Sequence, residues 1–112
     1  MSLDLAKIAA EAARTKKASD IVLQGLAGKS DICDFQLICS GENDRQTRAI
    51  ADSIADACKT QAHIRPSAIE GAQTGQWILM DYGNLLVHVF LRDIRNYYAI
   101  ESLWPESTLS LS

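Results

Sequence analysis

The segment from Trp77 to Leu91, Trp-Ile-Leu-Met-Asp-Tyr-Gly-Asn-Leu-Leu-Val-His-Val-Phe-Leu, constrains the fold of this chain most. It reads as two strands joined by a tight turn through Tyr82-Gly83-Asn84, because Gly supplies a positive φ readily and Asn tolerates one. Alternation puts Trp77, Leu79 and Asp81 on one face and Ile78 and Met80 on the other. Beyond the turn, Leu85, Val87, Val89 and Leu91 oppose Leu86, His88 and Phe90. With apolar groups on both faces, one must be core and part of the other covered or adhesive. A core does not need a Trp, an Asp and a Tyr within six residues. That surplus is the first pointer to function.

The rest of the chain supplies partners for this hairpin. A first helix is expected from Leu3 to Lys16, capped by Ser2, with an Ala-rich stripe of Leu5, Ile8, Ala9, Ala12 and Ala13. Asp20–Gln24 and Phe35–Ser40 are nearly continuous apolar runs, as in central strands covered by helices. Asn43 with Gln46 has the spacing of a capping box, and Thr47, Ile50, Ala51, Ile54, Ala55 and Cys58 then share one helical face. Ser67–Glu70 is a short strand candidate. A last helix spans about Asp93 to Trp104 and stops at Pro105. This order predicts an α/β (α+β) fold, a mixed β-sheet packed by helices. Residues 1–105 form one domain and 106–112 a flexible tail.

At 112 residues the chain can bury a core without metal or disulfide support. A net charge of −3 and a pI near 5.2 exclude affinity built on a broad basic footprint, so direct sequence-specific nucleic-acid binding is not expected. Docking on a protein with a basic surface stays open. Cys33, Cys39 and Cys58 are odd in number without a Cys-x-x-Cys pair; Cys39 in a strand and Cys58 on a helix face read as core hydrophobes, and such thiols fit a reducing compartment. There is no apolar leader and no run approaching the roughly 18 residues of a membrane span, and a cytoplasmic location is expected.

The search for chemistry yields no catalytic, metal or cofactor site. Asp31 and Asp34 have the rough setting of metal carboxylates, but Phe35-Gln36 follows Asp34, and the partner acid two residues on is absent. His63 lies in a polar loop, and His88 in an apolar strand reads as a hydrogen-bonded core or interface group. Neither has a ligand at zinc spacing. Walker, dinucleotide and nucleophile-elbow patterns are missing.

Three segments, read together, resemble the ribosomal silencing factor (Iojap-like) family. The first is Ser30-Asp31-Ile32-Cys33-Asp34-Phe35-Gln36-Leu37-Ile38-Cys39-Ser40-Gly41, leading into Arg45-Gln46 and Ala49-Ile50-Ala51-Asp52. The second is Glu70-Gly71 followed by Trp77 to Gly83, and the third Val87-His88-Val89-Phe90 with Arg95, Tyr98, Glu101, Leu103 and Trp104 behind it. The resemblance implies a nucleotidyltransferase-like fold without catalysis. It also implies a translational repressor that binds large-subunit ribosomal protein fourteen and blocks subunit joining when nutrients are scarce, dimerising when free. Carried onto this chain, the contact residues are Trp77, Asp81, Tyr82 and Gly83. Asn84 and Ala99 depart from the family pattern, each where an acidic residue is usual. For Trp77 the competing reading is a core residue, and for Tyr82 a turn residue with a solvated hydroxyl. A divergent nucleotidyltransferase-type enzyme and a dimeric adaptor for a non-ribosomal protein are the alternative functions.

Overall fold

Asn43 starts the longest helix as its spacing predicts. In the computed structural model, which describes residues 2–111, the Asn43 side chain accepts from the Gln46 backbone N–H at 2.8 Å. The Gln46 amide then works twice. Its Oε1 accepts from Glu42 N at 2.7 Å, and its Nε2 donates to the carbonyls of Lys16 and Lys17, each at 3.1 Å. One cap thereby fixes the entry to this helix and the exit of the preceding one.

The elements in chain order are α1 (Ser2–Thr15), β1 (Ser19–Gly25), β2 (Phe35–Gly41), α2 (Asp44–Ala62), β3 (Ala68–Glu70), β4 (Trp77–Asp81), β5 (Leu85–Leu91), α3 (Arg92–Tyr98) and β6 (Thr108–Leu109). Two 3-10 turns, Ile100–Leu103 and Pro105–Ser107, lie between α3 and β6. The strands form one sheet in the order β3-β4-β5-β2-β1-β6. All neighbours are antiparallel except β2 and β5, which run parallel with Leu37 opposite Val87 and Cys39 opposite Val89. The mixed α+β architecture expected from the element order is the observed one.

Helices α1 and α2 cover one face of the sheet. Ile78, Met80, Val87, Val89, Leu37 and Leu23 point into that layer and meet Ile50, Ile54 and Cys58 of α2. Burial of each large aliphatic group contributes roughly 1.5–3 kcal/mol. The α1 stripe is thin, as its sequence predicts. Ala6, Ala9 and Ala13 are fully buried, so the helix backbone lies close to its neighbours. Ser53 Oγ on α2 donates to the Ala12 carbonyl at 3.0 Å and ties the two helices together. Cys33, Cys39 and Cys58 are all buried free thiols, and burial pushes the Cys39 thiol up to about 12.

Two expectations meet a different structure, and a third falls outside the described residues. The last helix stops at Tyr98 because Ala99 turns left-handed, at φ 46 and ψ 46, and Ile100–Leu103 continues as a 3-10 turn. No Gly marks that stop. The reversal is stabilised by long-range bonds that local propensity does not encode. Within the expected flexible tail, Thr108 and Leu109 pair with Gln24 and Leu23, and Ser107 is buried with its Oγ 2.7 Å from Lys29 Nζ. A two-residue strand is too short to show periodicity, and the open edge of β1 recruits it. The side chain of Ser2, the expected cap of α1, lies outside what is described.

Candidate functional site

The hairpin of β4 and β5 sets Trp77 opposite Phe90 and Leu79 opposite His88 on the sheet face away from α1 and α2. Trp77 Nε1 donates to His88 Nδ1 at 3.1 Å. The indole also packs on Phe90, with ring centres 4.7 Å apart, and on Tyr98 of α3 at 4.9 Å. Tyr97 meets Tyr98 edge-on at 5.1 Å. Exposure rises along this series from zero at Phe90 to 52% at Tyr98 and 82% at Tyr97. The result is a ladder of rings running from the core into solvent. Each such pair adds roughly 0.5–1.5 kcal/mol beyond burial and fixes ring orientation.

Position along the ladder depends on how α3 and the following turn are held. A bulge in β1, where Asp20 adopts φ 50, turns the Asp20 carbonyl to receive Arg95 Nη1 at 2.6 Å. The same nitrogen donates to Ser40 Oγ at 2.8 Å, and Arg95 pairs with Glu101 at 2.7 Å. Alongside, Gln36 Nε2 donates to Gln24 Oε1, and Gln24 Nε2 donates to the carbonyls of Glu101 and Trp104. Apart from Glu101 Oε1, these polar groups satisfy one another, as burial requires. Desolvation holds His88 down to about 4, against the nearby Glu101 carboxylate, which favours the charged ring. The imidazole is therefore neutral near pH 7.

At the tip, Gly83 takes φ 83 and its N–H donates to Asp81 Oδ1 at 2.8 Å, an Asx turn that fixes the carboxylate. Asn84 needs no positive φ; its carbonyl receives the N–H groups of Asp34 and Phe35 instead. Trp77 and Asp81 share the outer face at opposite ends of β4. Tyr82 does not join them. Its ring packs against the helix-side core, and its hydroxyl is buried against the Cys58 thiol, at most a weak hydrogen-bond partner. That environment pushes the phenol's pKa up, chiefly through burial, and keeps it protonated. The competing reading of a solvated Tyr82 hydroxyl does not hold, because strand alternation turns the residue after Asp81 inward.

Sequence reasoning did not name Tyr97 and Tyr98 as site residues. The signal available was two adjacent aromatic residues on a helix too short to bury both. His88, expected as a hydrogen-bonded core or interface group, is buried together with Phe90 on the sheet face away from α1 and α2. Among the described residues no group of three or more His, Cys, Asp or Glu side chains could hold a metal ion, and no helix is long and apolar enough to cross a membrane. His63 caps the end of α2 in a left-handed conformation.

Comparison with known proteins supplies a context for the aromatic face. The family model described as "Ribosomal silencing factor during starvation" matches residues 1–111. The chain belongs to the ribosomal silencing factor family. Ribosomal silencing factor RsfS of Bacillus subtilis is 40% identical over 93% of this chain and 87% of its own length. The Haemophilus influenzae factor of the same name is 41% identical over 79% of this chain and 85% of its own. A crystal structure of a Chromobacterium violaceum protein, 31% identical, superposes with a TM-score of 0.89 over 98% of this chain and 91% of that one. These relatives belong to a regulatory family, not to the enzymes, and the family associates this chain with the ribosome and with silencing of translation.

Proposed function

We propose that this chain represses translation by docking on the large ribosomal subunit through ribosomal protein fourteen, where its bulk blocks joining of the small subunit. The observation that carries this reading is the ladder Phe90–Trp77–Tyr98–Tyr97, anchored in the sheet and exposed at its outer end. Rigid aromatic groups bury large area at little entropic cost and dominate protein interfaces. Asp81, preset by its turn bond to Gly83, adds a carboxylate suited to a basic, RNA-binding partner and assists orientation and encounter more than affinity. Trp77, Asp81 and Gly83 keep their place in the contact surface, and Tyr98 and Tyr97 extend it. Tyr82, whose ring packs on the helix side of the sheet, contributes by holding the tip of the hairpin and not through its hydroxyl. The free protein is a cytoplasmic homodimer in this reading.

The test is subunit joining. Pure protein mixed with isolated subunits should reduce the complete-ribosome peak in a sucrose gradient and sediment with the large subunit. Unchanged association at saturating protein would sink the reading.

A further inference from the structure

We propose that His88 is a positioning residue for Trp77: its neutral ring, with the proton on Nε2, holds the indole at the inner end of the exposed ladder, and protonation of the ring releases it. The chemistry follows from the donor inventory. An indole N–H can only donate, so the His88 Nδ1 it reaches at 3.1 Å must carry a lone pair. A neutral imidazole then carries its proton on Nε2.

A second proton has one place to go, Nδ1, the atom Trp77 occupies. Two N–H groups would then face each other across 3.1 Å, so ring protonation and the indole bond exclude one another. On the other side of the ring, Nε2 is buried without a partner among the described residues, and so is Glu101 Oε1. A charged His88 would gain Coulombic attraction to Glu101 as it lost the Trp77 bond. The groups facing the ring support this account. Strand β4 presents Trp77 and Leu79, β2 presents Ile38, and the 3-10 turn presents Glu101, whose Oε2 is already engaged by Arg95 of α3. Glu101 is thus the single anion acting on His88 among them, and desolvation outweighs it at neutral pH.

The effect on binding rests on the aromatic face being the ribosome contact; the tautomer and its coupling to Trp77 do not. Nitrogen-15 NMR of the whole protein should show Nδ1 of His88 as the unprotonated nitrogen, with exposed His63 as internal reference. The Trp77 indole signal, isolated in a Trp104→Phe background, should shift in acid with a midpoint near 4. His88→Asn places an amide oxygen near the position of Nδ1. It should keep the indole bond, abolish the acid transition and bind isolated large subunits within about threefold of the parent, whereas His88→Phe should lose the bond and about tenfold in affinity. A proton found on Nδ1, or an indole signal in His88→Phe identical to the parent, overturns the proposal even if no variant is stable enough for binding assays. Full affinity in folded His88→Phe overturns the recognition role. A confirmed tautomer and acid transition in a parent that binds no subunits would instead overturn the ribosome-contact reading alone.

Discussion

Arg95 meets Glu101 through two nitrogens on one oxygen, with Nε 2.8 Å and Nη2 2.7 Å from Oε2. The Arg95 side chain is 7% exposed and that of Glu101 26%, so little solvent screens the pair. This contact holds the turn after α3 against the sheet, and with it the outer end of the aromatic ladder. Arg95→Ala leaves a half-buried carboxylate unpaired and two sheet acceptors empty, and should destabilise by about 3 kcal/mol or more. Glu101→Gln leaves Arg95 bonded to Asp20 and Ser40, and should cost about 1–2 kcal/mol. Urea unfolding of both variants measures the two values. Equal losses would contradict the division.

Gly71 sets the approach to Trp77 from the backbone side. It adopts φ 84, and a Cβ placed there would collide with the Trp77 carbonyl oxygen. Both the left-handed strain and the collision fall on backbone, which cannot swing aside. Gly71→Ala should therefore lose about 2 kcal/mol or more in urea unfolding and shift Trp fluorescence.

Ala99 gives the opposite sign. Its left-handed conformation costs an L residue about 1–2 kcal/mol, while glycine there adds roughly 0.5–1 kcal/mol of unfolded-chain entropy. The first effect is the larger. Ala99→Gly should raise stability by about 0.5 kcal/mol, readable as a higher urea midpoint at unchanged slope.

His88 makes stability depend on acid in a defined window. Its ordinary value is 6.5 and the folded value about 4, so between them the unfolded chain takes up the proton and the folded one does not. Stability from this group is complete above about 6.5 and is lost as pH falls toward 4, to a limit of roughly 3 kcal/mol. Thermal unfolding at pH 7 and pH 4.5 should show a smaller acid loss in His88→Asn than in the parent. The carboxylates titrate in both proteins and cancel in the comparison.

Three substitutions sort the proposed contact residues. Trp77→Ala and Tyr98→Ala should each weaken large-subunit binding by more than about 1 kcal/mol. Tyr82→Phe removes a buried hydroxyl that faces only the weakly bonding Cys58 thiol, so binding should hold and stability stay level or rise. Loss of binding in Tyr82→Phe, with the fold intact, would return its hydroxyl to the site.

What was legible in the sequence had short-range causes. The alternation of β4 and β5, the Asn43–Gln46 cap and the helical face of α2 each rest on residues within a few positions of one another, and each appears as read. What was not legible depended on distant partners. Ala99 bends because Arg95, Glu101 and Gln24 reward the reversal, and Thr108–Leu109 become a strand because β1 has an edge to fill. The site divides in the same way. Trp77 and Asp81 were visible as a surplus on one strand face. The inward turn of Tyr82 and the place of Tyr98 on the indole required the packed sheet.

The alanines of α1 carry a consequence for how this molecule can vary. Where α1 closes its side of the sheet it does so with the smallest side chains available, while the other face is closed by some of the largest. A surface of buried methyl groups has almost nothing left to remove and no room for addition, so any enlargement must displace a whole helix. Rings can be trimmed, exchanged or reoriented one at a time. Sequence drift is thereby channelled: the α1 contact is a fixed plate, and the front is where an altered partner can be met by altered side chains without rebuilding the scaffold.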